Sequence, residues 1–238
     1  MRARSWPLIA LLILVPLVSW VWIVVLSRDM YGPMTGAGAW MMTAVWDAPH
    51  VLLLWAMWAV MMTGMMLPSA TPMIVLTGGS SGYFVALGYV SVWAAFSAGA
   101  TALQLLLSQL LIVTPMMELS NRRAGAVLLA CAGLYQLTPL KRACLTTCQS
   151  PMAFLAHRWR AGSSFGAFRM GAEHGVYCVG CCWTLMLLLF AGGVMNLTVI
   201  AALTVFVAFE KLAPAGAWGA RISGTLLILL AIWTGTKP

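Results

Sequence analysis

Acidic residues are nearly missing from this chain: five Asp and Glu in 238 residues. Charge of either sign is scarce, at 8% of residues, where a soluble domain carries about 25%. That excludes an ordinary soluble domain. No G-x-x-x-x-G-K-[ST] segment is present, so the chain offers no phosphate cradle of its own for ATP. No small-x-small cleavage site follows the first apolar run, where the sequence reads SRDMYG; a retained helix is expected rather than a removed signal peptide. The six cysteines crowd onto short segments instead of spreading as a secreted disulfide framework.

What remains is apolar. Hydrophobic residues make up 62% of the chain, in runs long enough to span a bilayer. The expected fold is all-α: a polytopic membrane helix bundle in one transmembrane domain over residues 1–238, with no soluble domain. Seven helices are expected at about 8–26, 50–75, 83–113, 124–140, 171–190, 194–209 and 222–234. The net charge of +8 is then a property of loops facing the cytoplasm, not a sign of nucleic-acid binding. With the N-terminus inside, the inner side holds Arg2, Arg4, Lys141, Arg142, Arg158, Arg160, Arg169, Lys211 and Arg221. The outer side keeps Arg28, Arg122, Arg123 and Lys237. Helix four opens Arg123-Ala-Gly and helix seven opens Arg221-Ile-Ser-Gly. If helices two to four repeat as five to seven, an inverted 3+3 repeat follows, with a site near mid-membrane at the repeat interface.

The segment EHGVYCVGCCWTLM, residues 173–186, carries the strongest chemical signal. At about 100° per residue, His174, Cys178, Cys181 and Cys182 fall within one side of a helix, with Glu173 at its edge. One cysteine in an apolar helix is ordinary packing. Three within five residues, in register with a histidine, call for another reason. Ionisable groups inside a membrane are a functional site by default, and thiolate with imidazole suits Cu(I), zinc or an iron–sulfur centre. Glu173 is expected to fix the His174 tautomer. Cys144 and Cys148, spaced i, i+4 in KRACLTTCQSP, form a second expected pair.

The expected second helix contains MWAVMMTGMMLPSATP. Met57, Met61 and Met65 share one face; Met62 and Met66 share a neighbouring one. Taken alone, such a stripe is usually packing. Its expected depth beside the cysteines gives it weight as a thioether source for Cu(I). Pro68 and Pro72 are expected to interrupt this helix. Asp47 and His50 sit at its outer mouth as a minor candidate point of access. Glu210-Lys211 reads as an interfacial ion pair.

These motifs resemble a bacterial family of predicted metal-binding integral membrane proteins. The similar pieces are W-A-V-M-M-T-G-M-M-L-P, Y-Q-L-T-P-L-K-R-A-C-L-T-T-C-Q-S-P, G-V-Y-C-V-G-C-C-W-T-L-M with the following M-N, and the E-K pair, together from Trp55 to Lys211. The resemblance implies metal binding and a multi-span fold, and a bacterial inner membrane is expected; the Lys and Arg distribution over seven spans puts the N-terminus in the cytoplasm and the C-terminus outside. The methionine spacing is also similar to the M-x-x-x-M element of eukaryotic copper permeases.

Three functions compete. The first is Cu(I) transport or delivery, passing from Met57, Met61 and Met65 to Cys178, Cys181, Cys182 and His174, then to Cys144 and Cys148. The second is a membrane oxidoreductase using the cysteine pairs or a bound copper. The third is an assembly or scaffold subunit with a structural metal. Zinc, iron and haem (His174 and Met61 as axial ligands) stay open beside copper. The expected partners are the lipid bilayer, a metal ion, and a metallochaperone or metalloenzyme.

Overall fold

The computed structural model describes residues 6–32, 37–41, 46–114, 117–159, 162–213 and 216–236. Among them are eleven helices: α1 (Trp6–Met30), α2 (Ala37–Met41), α3 (Ala48–Thr77), α4 (Ser81–Gln109), α5 (Arg122–Gln136), α6 (Pro139–Gln149), α7 (Pro151–Arg158), α8 (Ser164–Leu187), α9 (Leu189–Gly192), α10 (Leu197–Leu212) and α11 (Gly216–Thr236). Among the described residues there is no strand, only an isolated bridge between Val113 and Leu119. Five helical stretches are long and apolar enough to cross a membrane: Trp6–Met30, Ala48–Thr77, Ser81–Gln109, Ser164–Gly192 and Trp218–Thr236. At 15 and 16 residues, α5 and α10 are shorter than the about 20 a span ordinarily takes.

Local chemistry sets the helix starts. Asp47 accepts from the His50 amide, Thr138 from that of Lys141, and Asn196 from those of Thr198 and Val199. Each is an oxygen-bearing N-cap satisfying donors that the first turn leaves open. Asp47 is thus a cap, and His50 is buried with its ring edge-on to Trp46. Pro68 and Pro72 do not interrupt α3; the helix runs on to Thr77 and stops at Gly78, whose φ is +63°. Each proline removes the amide donor to the carbonyl four residues back, that of Gly64 and of Pro68; in the same turns Ser69 and Tyr89 donate to the Met66 carbonyl and Thr71 to that of Leu67. The expected helix 124–140 ends instead at Gln136, and Thr138-Pro139 starts α6 as a separate helix.

The helices pack through small residues. The most extensive pairing joins α4 and α8, where Gly88 lies against the Phe168 backbone and Gly171 against that of Val85. Farther along, Gly175 meets Val92 and Cys178 meets Tyr89, so the two helices run parallel. α3 is antiparallel to both: Ile74 lies near Gly82, Met66 near Tyr89, and Trp55 bonds to Ala94. α5 and α11 are antiparallel, with Gly133 against Gly224 and Gln136 bonded to Ser223.

α6 turns back against α8, fixed by a buried polar knot. Lys141 Nζ lies 2.7 Å from Glu210 Oε2, with the two side chains 0% and 1% exposed. Gln136 donates to the same carboxylate and Gln149 to the Glu210 carbonyl. This corrects two expectations. Glu210 and Lys211 do not pair with each other, and Lys141 and Lys211 are core residues rather than charges at a membrane face. Arg2, Arg4, Arg160 and Lys237 lie outside the described residues.

Candidate metal centre

Four cysteines meet where α8, α6, α3 and α10 converge. The α8 register puts Cys178, Cys181 and Cys182 on its buried side, all at most 1% exposed. α6 brings Cys148, its sulfur 3.9 Å from that of Cys181. α3 brings Met66, its sulfur 4.0 Å from that of Cys182. Sulfurs sharing one tetrahedral metal at about 2.3 Å lie roughly 3.8 Å apart, so these separations are close to those of a shared ion.

Cys178 is the hub. Its sulfur lies 2.9 Å from Tyr89 Oη and 2.9 Å from Lys211 Nζ. The Lys211 ammonium also reaches Met66 Sδ at 3.6 Å and Ser69 Oγ at 3.4 Å. The Cys181 and Cys182 thiols turn back to the Cys178 carbonyl at 3.1 and 2.9 Å, which is why they are not yet aimed at a common point. Among the described residues no three His, Cys, Asp or Glu side chains converge tightly enough to hold a metal ion as they stand. Rotation about the cysteine χ1 bonds between staggered wells is the change that would bring the thiols together.

His174 is buried between the rings of Tyr89 and Phe154, with centroids at 5.9 and 5.2 Å. Its Nδ1 is buried and has no hydrogen-bond partner. With Cys148, Lys211, Ser69 and Gln149 it lines a cavity of about 240 Å³. A buried imidazole nitrogen without a partner, beside thiols and a thioether, fits a soft metal.

The remaining expected site residues separate from this group. Glu173, expected to fix the His174 tautomer, is held by Arg158 at 3.0 Å and Arg169 at 3.3 Å, and His174 Nδ1 makes no bond to it. Cys144 and Cys148 are not a station of their own: Cys148 joins the α8 thiols, while Cys144 packs on Gly180. Met57, Met61, Met62 and Met65 are buried in the core along α3. At 1.5 Å per residue, the row from Met57 to Met66 extends about 13 Å and ends at the thiols. The residues the sequence did not single out are Tyr89 and Lys211 in its observed role. A lysine in an apolar helix was the available signal for Lys211; Tyr89, one aromatic in an apolar run, had none.

No curated protein matches the chain, and no solved structure does. A family model for PpoB2, described as a copper chaperone, matches residues 55–234. That stretch runs from α3 to the last turn of α11 and takes in every residue of the thiol cluster. The chain belongs to the PpoB2 copper chaperone family.

Proposed function

We propose that this protein is an integral membrane carrier of Cu(I), which it receives and hands on through sulfur ligands. The observation that carries the reading is the buried meeting of Cys148, Cys178, Cys181 and Cys182 with Met66. Copper here is cargo, and each residue has a task. Met57, Met61, Met62 and Met65 line the approach as weak thioether ligands. Up to four ligands drawn from the four cysteines, Met66 and the His174 nitrogen at the cavity side hold the ion. Thioether and thiolate select Cu(I) over harder ions. Delivery to a partner metalloenzyme or metallochaperone accords with the family; the cavity beside His174 and Cys148 is the exit this reading assigns. The test is copper analysis of the wild-type protein purified in detergent under reducing conditions. About one Cu(I) per chain is expected; zinc or iron at that stoichiometry, or protein that binds no added Cu(I), contradicts it.

The membrane setting is part of the proposal. α1 and α11 leave Leu14, Val18, Val21, Leu226, Leu229 and Ile232 more than half exposed, the surface expected of helices solvated by lipid tails. Helix directions favour seven crossings. α4 and α8 run parallel, so the chain between them must return across the bilayer, and α5 is the segment that does so. By the same logic α10 returns between α8 and α11. The antiparallel α5–α11 pair, closed on Gly133 and Gly224, sits where the last helices of an inverted 3+3 repeat would meet. The protein then lies in the bacterial inner membrane, with the N-terminus and α7 on the cytoplasmic side and the C-terminus outside. Alkaline phosphatase inserted beside Gly162 is expected to stay inactive; periplasmic activity there would reverse this orientation, with the N-terminus outside.

A further inference from the structure

The Lys211 ammonium is buried, at 5% exposure. An ammonium offers three donors and no acceptor, and buried charges are normally paired. Its neighbouring carboxylate, Glu210, is committed to Lys141. The hydrogen-bond partners of Lys211 are Cys178 Sγ, Met66 Sδ and Ser69 Oγ. Two of the three are soft metal ligands. Nζ stands between a cysteine sulfur on α8 and a methionine sulfur on α3, where an ion shared by those two helices would sit. A metal and an ammonium cannot both occupy that point.

We propose that the Lys211 ammonium is the metal-free protein's stand-in for its cargo: it holds the position between Cys178 and Met66, and withdraws into the adjoining cavity when the metal arrives. The inference rests on the copper reading above. Room for the withdrawal exists, since the cavity of about 240 Å³ is lined by Lys211 itself with Ser69, Gln149 and Cys148. Ser69 Oγ already takes one of the ammonium's hydrogen bonds and is the pivot for the movement. The exchange also sets specificity. The withdrawn ammonium stays beside the sulfurs, so a monovalent ion adds one charge next to it and a divalent ion adds two, in a medium where unbalanced charge is costly. Lys211 is therefore a specificity-determining residue that favours Cu(I) and Ag(I) over soft divalent ions such as Cd(II).

The test is lysine acetylation of the full chain in detergent, with and without one equivalent of Cu(I), read by peptide mass spectrometry with bound copper measured in the same samples. Acetylation of Lys211 is expected to rise about tenfold or more on loading, because a closed side chain reacts only when it opens. Lys141, closed in its pair with Glu210, is expected to stay unmodified in both samples, which excludes unfolding as the cause. If copper binds and Lys211 acetylation is unchanged, the ammonium stays as a counter-ion and the proposal falls while the copper reading stands. If no copper binds, both fall. Lys211→Met, nearly matched in shape, is expected to lower the ratio of Ag(I) to Cd(II) affinity about tenfold or more; an unchanged ratio overturns the specificity claim.

Discussion

Cys178→Ser is expected to lower the affinity for Cu(I) by more than about a hundredfold, beyond the ten- to hundredfold lost when a partner outside the ligand sphere is removed. Competition with a Cu(I)-specific chelator measures it. The size of the effect follows from position. Cys178 is where α8 meets α4 through Tyr89 and α10 through Lys211, and its carbonyl holds the thiols of Cys181 and Cys182. Serine preserves the hydrogen bonds and the volume but replaces a soft ligand with a hard one. The double variant Cys178→Ser/Cys182→Ser is expected to purify with no copper. Cys131→Ser is the control: that cysteine is exposed on α5 and free, and its loss is expected to leave the affinity unchanged. Cys144→Ser, outside the cluster, is expected to cost far less than Cys148→Ser. Equal losses at Cys144 and Cys148 would return them to the pair that their spacing suggests.

Lys141→Met is expected to destabilise the protein by about 3–5 kcal/mol, the range for breaking a buried ion pair from one side. The change leaves Glu210 at 1% exposure without its 2.7 Å partner. Gln136 and Gln149 still donate to Glu210, but neither carries a charge. Replacing both partners, Lys141→Met/Glu210→Leu, is expected to recover most of the loss, since an apolar pair of similar volume is often neutral or better. Thermal unfolding in detergent reads both. The knot also bears on the thiol cluster: it ties α6, which carries Cys148, to α10, which carries Lys211. The single variant is therefore expected to bind copper more weakly than the double. A double variant as unstable as the single would mean that the pair itself contributes stability.

Much of the candidate metal centre was legible because helical period is a local property. His174, Cys178, Cys181 and Cys182 share a face by spacing alone, and α8 is helical across them. Burial of the methionine stripe followed in the same way. What was not legible depends on contacts between distant segments. The i, i+4 spacing of Cys144 and Cys148 gives no hint that the packing of α6 on α8 takes one cysteine into the cluster and leaves the other on Gly180. Sequence adjacency made Glu210 and Lys211 look like partners. In the fold, successive helical residues point about 100° apart, and each side chain meets a different helix: α6 for Glu210, α3 and α8 for Lys211. Glu173 failed as a partner of His174 for the same reason, since its own direction leads to Arg158 and Arg169. Pro68 and Pro72 carry the usual signal of a broken helix, yet α3 runs through both to Thr77, in contact with α4 where Tyr89 bonds to the Met66 carbonyl.

The central claim is that copper sits among sulfurs at the junction of α8, α6 and α3. X-ray absorption at the copper edge of the Cu(I)-loaded protein tests it most directly. The account predicts an edge typical of Cu(I) and a first shell made of sulfur, with at most one nitrogen, from His174. That sulfur signal should thin in Cys148→Ser and in Met66→Leu. A first shell dominated by nitrogen and oxygen, or one unchanged in both variants, would place the copper elsewhere and contradict the account.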